Sequence, residues 1–245
     1  MPRRRFYVPR ESIREGTAAL PPAQAHHLRD VLRMANGDPV EIFDGAGSAY
    51  VGEADLNGPE VFVRNLKSIP SPGFPFHLTL AASLIKPAKF ELILQKATEL
   101  GVDEIIPLKT RHSEIRIPEY RIGGRLERWN RILTEAAKQC RRSAAPRLQQ
   151  PLDFDIFLRS GHFSAGAATL FYEKCEEPWA PEGPIAAQVI LCTGPEGGWA
   201  QEEVEQAREA GFRIAGLGPW ILRAETAAIA AVAIVQHQIH ILRRQ

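Results

Sequence analysis

The sequence predicts an α/β fold in two parts: a small β-rich N-terminal domain, then a larger domain built on a parallel sheet with helices on both faces. Three observations carry this. Short strand-like segments separated by Gly, Asp and Asn turns fill the stretch from Pro39 to Ile69. From His77 onward, apolar strand-like runs alternate with helix-like runs, the pattern of a parallel sheet covered by helices. Between the two lies Ile69-Pro70-Ser71-Pro72-Gly73-Phe74-Pro75, too rich in proline to continue a strand or helix. The domains are therefore drawn at residues 1–70 and 76–245, with 71–75 as linker.

In the first part, a helix is expected near Gln24 to Arg33, and strands at Pro39 to Phe43, Ser48 to Asp55 and Val61 to Ile69. Asp44-Gly45-Ala46-Gly47 and Asn57-Gly58-Pro59 supply the turns. In the second part, His77 to Ala82 reads as strand, Phe90 to Leu100 as helix, Glu104 to Leu108 as strand, Leu126 to Cys140 as helix and Thr169 to Tyr172 as strand. Two strand–turn–helix units close the chain. Val189 to Thr193 leads through Gly194-Pro195-Glu196-Gly197-Gly198-Trp199 into a helix over Gln201 to Ala210; Phe212 to Ala215 leads through Leu217 to Thr226 into a helix over Glu225 to His240.

Such turns bring bare backbone N–H and C=O groups to the carboxyl edge of a parallel sheet, where small ligands bind. Two of them close in sequence suggest one pocket with two walls. Neither is a phosphate loop: Trp199 and Ala200 follow Gly198 where Lys and Ser or Thr would be required. Gly216-Leu217-Gly218-Pro219-Trp220-Ile221 lacks the third glycine of a dinucleotide site and has Pro where a helix should open. Trp199, Leu217, Trp220, Ile221 and Leu222 beside exposed amides suit a flat aromatic base with a polar edge, such as adenine.

GPEGGW followed by LGPWILRAETA resembles the knotted, S-adenosylmethionine-dependent RNA methyltransferases of the SPOUT class, and most closely the ribosomal RNA small subunit methyltransferase E family. The likeness extends to His27-Leu28-Arg29-Asp30-Val31-Leu32-Arg33, Lys86, Lys96 to Val102 and Glu135 to Cys140. It implies a PUA-like β-barrel at the N-terminus and a knotted C-terminal sheet, in which the chain around Leu217 to Glu225 threads under the loop near Gly194. It also implies a homodimer, with S-adenosylmethionine as cofactor and N3 of a uridine in small-subunit ribosomal RNA as the methylated atom. Methylation of another RNA base, and a non-catalytic RNA-binding or ribosome-assembly role, are the alternatives.

On this resemblance the cofactor is assigned to Thr193, Gly194, Gly198, Leu217, Gly218, Ile221 and Leu222, through backbone groups and apolar walls. The uridine imide must lose a proton before its nitrogen attacks, so a cation facing the developing anion is needed. Arg223 is given that role, with Glu225 holding it or receiving the proton; the alternative for this pair is a structural salt bridge. Glu196 either caps the following helix or fixes its loop.

The formal charge of +1 conceals an uneven distribution. Arg3, Arg4 and Arg5 precede Phe6 and Tyr7, and the stretch from Lys109 to Arg147 is rich in Arg, including Arg111, Arg141 and Arg142. Arginine suits phosphate, and an aromatic behind it can stack on a base. Together with Arg29, Arg33 and Lys86, these are the candidate RNA contacts. Arg121, Arg125, Arg128 and Arg131 recur at helical spacing and fit a solvated helix face equally well. Cys140, Cys175 and Cys192 are too few and too far apart for a disulfide frame or zinc site, which points to the cytosol, and no metal is expected. The alanine-rich run from Ala227 to Val235 is too short to span a bilayer and reads as a core helix or a dimer interface.

Overall fold

The computed structural model describes residues 4–70, 76–160, 168–180 and 187–242. The predicted linker, 71–75, and Arg3 lie outside them. The chain forms two compact units, Met1–Gly73 with Ala137–Ala145, and Phe74–Ala136 with Pro146–Gln245. The assignment of Ala137–Ala145 to the first unit is a tertiary fact that reading along the chain did not anticipate.

In the N-terminal unit, β1 (Arg4–Tyr7), β2 (Ile13–Arg14), β3 (Thr17–Ala19), β4 (Pro39–Phe43), β5 (Ala49–Asp55) and β6 (Phe62–Ile69) form one sheet. Its order is β1-β4-β5-β6-β3-β2, parallel only where β1 meets β4. Helix α1 (Pro22–His26) runs into a single π-helical turn, His27–Val31. Alternation sets the inward face: Val40 and Ile42 of β4, Ala54 of β5 and Val63 of β6 pack with Phe6, Val8, Leu20 and Leu28. Gly52 sits at a register irregularity, where a Cβ would come within 2.4 Å of the Arg64 carbonyl oxygen. Only glycine fits so close an approach. The Asp44 turn is held by its own carboxylate, which accepts the N–H groups of Ala46 and Ser48.

The C-terminal unit carries β7 (His77–Ser83), β8 (Glu104–Lys109), β9 (Arg147–Leu148), β10 (Leu152–Asp153), β11 (Ala168–Phe171), β12 (Gln188–Thr193) and β13 (Arg213–Ala215). All pair in parallel, in the order β10-β8-β7-β12-β11-β13, with β9 also on β8. The near-continuous apolar runs of β7, β8, β11 and β12 are those of strands buried on both faces. Residues of one parity, among them Ala81, Ile106, Leu108, Leu170, Ile190 and Cys192, pack with α4 (Phe154–Arg159) and α5 (Gln201–Glu209). Over the other face lie α2 (Pro87–Glu99) and α6 (Ala224–Leu242), which pack on each other while α6 also contacts β12 and β7. Burial raises the Cys192 thiol pKa far above its usual range, so it remains a neutral core group.

The predicted regular elements are present with ends shifted by a few residues. The short pieces β1, β2, β3, β9, β10 and α4 are additional. The N-terminal basic segment, named above only as a candidate RNA contact, is β1, paired with β4 from Arg4 to Tyr7. Helix α3 (Glu119–Gln139) begins earlier than expected and carries the arginines at helical spacing. Arg128 forms a two-pronged pair with Glu91, at 2.6 and 2.8 Å, and Arg125 lies 3.9 Å from the same carboxylate. In α6, Ala228, Ala231, Val232, Val235 and Ile239 are buried along one face, whereas Ile234 and Ile241 are exposed.

Candidate active site

β7, β12, β11 and β13 lie side by side and in parallel, so their carboxyl ends open on one edge. The loops leaving them converge on a cavity of about 470 Å³. The predicted turns are two of its walls: Gly194 to Gly198 form one, and Leu217 to Arg223 the other. Phe171, Tyr172 and Glu173 at the end of β11 complete it, together with Lys89 from the first turn of α2.

Local geometry explains the glycines of the first turn. Gly198 adopts φ +72° and donates its N–H to the Pro195 carbonyl, closing a tight turn. A Cβ there would stand 2.6 Å from Glu173 Oε1, and one on Gly194 would stand 2.8 Å from Trp199 Nε1. Trp199 is buried and donates that N–H to the Phe171 carbonyl at 3.0 Å, tying the turn to β11. His112 Nδ1 approaches the Gly198 carbonyl at 3.1 Å from outside. In the second turn, Gly218 has φ +127° and open space where a side chain would be.

Each predicted cofactor residue except Thr193 lines this cavity; Thr193 is buried at the end of β12, immediately before Gly194. Arg223 also lines it, exposed and without an ion-pair partner among the described residues. The expected Arg223–Glu225 contact is not formed. Glu225, at the start of α6, is buried and lies 3.6 Å from the Nζ of Lys89. Glu196 does not cap α5 either; it accepts a hydrogen bond from the same ammonium. That bond lowers the Glu196 carboxyl below the usual carboxylate range and raises Lys89 above the usual lysine range. The capping role belongs to Glu203, whose carboxylate accepts the N–H of Ala200 at 3.1 Å and that of Arg111 at 2.9 Å.

Lys89 is the residue the sequence reading missed. It lies in Lys86-Pro87-Ala88-Lys89, where the proline at the first helical position marks a helix start. Nothing in that segment shows that the lysine meets two carboxylates contributed by the far end of the chain.

The candidate RNA contacts separate. In the N-terminal unit, Arg5 is largely withdrawn from solvent: it pairs with Glu41 at 3.0 Å, stacks on Phe43 and donates to Ser143 Oγ. Burial lowers its pKa, and the nearby Arg141 lowers it further. Arg4, Arg33 and Arg141 are exposed, and Arg142 is half-buried. Arg29 donates to the carbonyls of Gly58 and Pro59. The fold thus brings the N-terminal and 141–142 basic groups into one unit. In the C-terminal unit, Lys86 is exposed beside the start of α2, and Arg111 pairs with Glu202 at 3.0 Å on the surface.

A parallel sheet with a glycine-walled cavity at its carboxyl edge agrees with what comparison of the whole sequence finds. A family model described as an RNA methyltransferase domain matches residues 72–236, and one described as an RNA methyltransferase PUA domain matches residues 20–53. The class is therefore that of the RNA methyltransferases. The chain is 36% identical to the ribosomal RNA small subunit methyltransferase E of Synechocystis sp., over 94% of this chain and 76% of the relative. It is 29% identical to the Bacillus subtilis protein of that name, over 90% of each. This chain belongs to the ribosomal RNA small subunit methyltransferase E family. Among solved structures, the Neisseria gonorrhoeae member bound to S-adenosyl methionine matches with a TM-score of 0.80 at 28% identity, covering 96% of this chain and 97% of that one.

Proposed function

We propose that this protein transfers a methyl group from S-adenosylmethionine to N3 of a uridine in small-subunit ribosomal RNA. The observation that carries the reading is the one cavity shared by the two glycine turns, with Arg223, unpaired among the described residues, in its lining. Its volume of about 470 Å³ is that of a small-molecule site. The backbone groups of the Gly194–Gly198 turn, apart from the Gly198 N–H that Pro195 takes, and those of Gly218 offer the polar edge for adenine, and Leu217, Ile221 and Leu222 the apolar walls. The donor supplies a methyl already activated on a sulfonium.

The remaining work falls to this chain's own residues: positioning the uridine and stabilising the charge it acquires. Arg223, with no carboxylate partner among the described residues, is free to face the imide oxygens as the N3 proton leaves. Glu225 is buried and held near Lys89 instead of Arg223. Trp220 and Ile221 are 82% and 84% exposed at the rim, where an extruded base can stack. The N-terminal unit, with its PUA match and exposed Arg4, Arg33 and Arg141, serves as the RNA-binding module, and that match supports reading its six-stranded sheet as a PUA-like barrel.

Two further features belong to the same proposal. The chain around Leu217 to Glu225 threads under the loop near Gly194 to form a knot, a reading compatible with how tightly the adjoining Gly216 passes another segment: a Cβ there would lie 2.0 Å from the Cys175 carbonyl oxygen. The protein acts as a homodimer in the cytosol, with the exposed Ile234 and Ile241 of α6 as apolar contacts at the interface.

Incubation with methyl-labelled S-adenosylmethionine and small ribosomal subunits or their naked RNA, followed by nucleoside analysis, tests the assignment. Label in 3-methyluridine is the expected result. Label in another nucleoside selects a different target base, and no label on any RNA leaves a binding protein.

A further inference from the structure

The two glycine turns lie on separate loops, and nothing covalent fixes the distance between them. Glu196 rides on the first turn, and Glu225 opens α6 immediately beyond the second. Both face one ammonium. Lys89 Nζ donates to Glu196 Oε1 and stands 3.6 Å from Glu225 Oε2. The three side chains are only 32%, 20% and 11% exposed.

Glu225 Oε2 is fully covered and accepts no hydrogen bond from the described residues. A buried carboxylate oxygen left in that state is costly unless a cation stands near it. Lys89 is the cation present. Without it, Glu196 and Glu225 would confront each other across the cavity wall, and their repulsion would push the loops apart. A lysine suits this task, because its compact charge carries three donors on a flexible stem and can serve carboxylates from two directions. Among the described residues, Lys86 also acts on Glu196 from the start of α2, and Glu173 and Arg223 line the same cavity.

We infer that Lys89 is a positioning residue, an ionic clamp that pins the first glycine turn to the second and so sets the width of the methyl-donor pocket. The inference rests on the methyltransferase reading above and concerns residues that act through Glu196 and Glu225, not on the reacting atoms.

Calorimetric titration of the full-length protein with S-adenosylmethionine tests it, comparing wild type with Lys89→Met, Lys89→Arg, Glu196→Gln and the Lys89→Met/Glu196→Gln pair, with thermal melts alongside. Lys89→Met weakens donor binding at least roughly fivefold, as expected for a lost charge-assisted bond, and Lys89→Arg restores most of it. Glu196→Gln shows a comparable loss, and the double variant is no weaker than Lys89→Met alone. The Lys89→Met defect shrinks as the pH is lowered toward about 5, because protonating one of two unneutralised carboxylates removes their repulsion. A lysine that merely packed would give a defect independent of pH.

Wild type with no affinity for the donor would remove the methyltransferase reading and this inference together. Wild type that binds while Lys89→Met binds equally well, additive losses in the double variant, or a pH-independent defect overturns the clamp alone. Should Lys89→Met fail to fold, Glu196→Gln decides: weakened binding measured well below its melting temperature supports the clamp, and unchanged binding overturns it.

Discussion

Lys89 Nζ lies 3.6 Å from Glu225 Oε2, joining the first helix of the C-terminal unit to the last. With Glu196 on the same ammonium, the pH dependence of this contact has a defined sign. The Glu196 carboxyl is lowered by its bond to Lys89, so its contribution is fully present above the unfolded carboxylate value of about 4.3 and is lost as the pH falls through the depressed folded value. Lys89 is raised, so its contribution is fully present below about 10.4 and is lost as the pH rises through the folded value. The difference in melting temperature between wild type and Glu196→Gln is therefore flat across neutral pH and narrows at both extremes. A difference that grew on acidification would contradict the pairing.

Arg223→Ala removes a side chain with no ion-pair partner among the described residues, so the fold should not notice. Methyl transfer is expected to fall about 10²-fold in kcat, the usual scale for one charge-stabilising donor. Donor affinity and melting temperature stay within a small margin of wild type. Single-turnover transfer to small-subunit RNA, with calorimetry on the same preparation, measures both.

Gly198 and Gly216 separate binding from folding. Gly198→Val forces a β-branched residue to φ +72° beside Glu173, whose flexible carboxylate can swing away. The backbone conformation costs about 1–2 kcal/mol, and donor binding is lost while the protein stays folded. At Gly216 the obstacle is backbone, the Cys175 carbonyl oxygen at 2.0 Å from the would-be Cβ. Gly216→Ala should cost about 2–3 kcal/mol or more by overpacking, seen as a lower melting temperature. Gly198→Val with unaltered calorimetric affinity would remove that glycine from the donor site.

Glu203→Ala leaves the N–H groups of Ala200 and Arg111 without their acceptor. Loss of this cap is expected to cost about 1–2 kcal/mol, measured by urea denaturation. The damage is confined to the start of α5, so residual donor binding persists at low temperature.

Trp220 is exposed at the rim with its flat face available. If it stacks on an RNA base, Trp220→Ala reduces kcat/KM for RNA by about 1–3 kcal/mol of stacking, while Trp220→Phe keeps most of it. Loss of dimer instead, read by sedimentation, would assign the indole to a protein interface.

Much of the fold was legible because burial leaves a periodic signature. The two-faced apolar runs of β7, β8, β11 and β12 and the alternation in β4 mark strands in any chain that must hide those side chains. The glycine turns were legible for a related reason: closely spaced glycines between a strand and a helix mark backbone that must turn sharply or be approached closely. Elements of two or three residues, such as β2, β9 and β10, carry too little pattern to be read. β1 was hidden because its arginines look like solvated charge, whereas Arg5 is in fact folded onto Phe43 and Glu41.

The sequence by itself determined which of the longer segments become strand, turn and helix, and that two glycine turns would meet at one sheet edge, since these follow from local propensity and from parallel pairing. Tertiary structure alone decided the ionic partners. Glu225 faces Lys89 and not its near neighbour Arg223, Glu203 and not Glu196 caps α5, and Ala137–Ala145 packs with the first unit. The physical reason is that a charge takes whatever counter-charge packing sets within a few ångströms, and separation along the chain does not encode that distance.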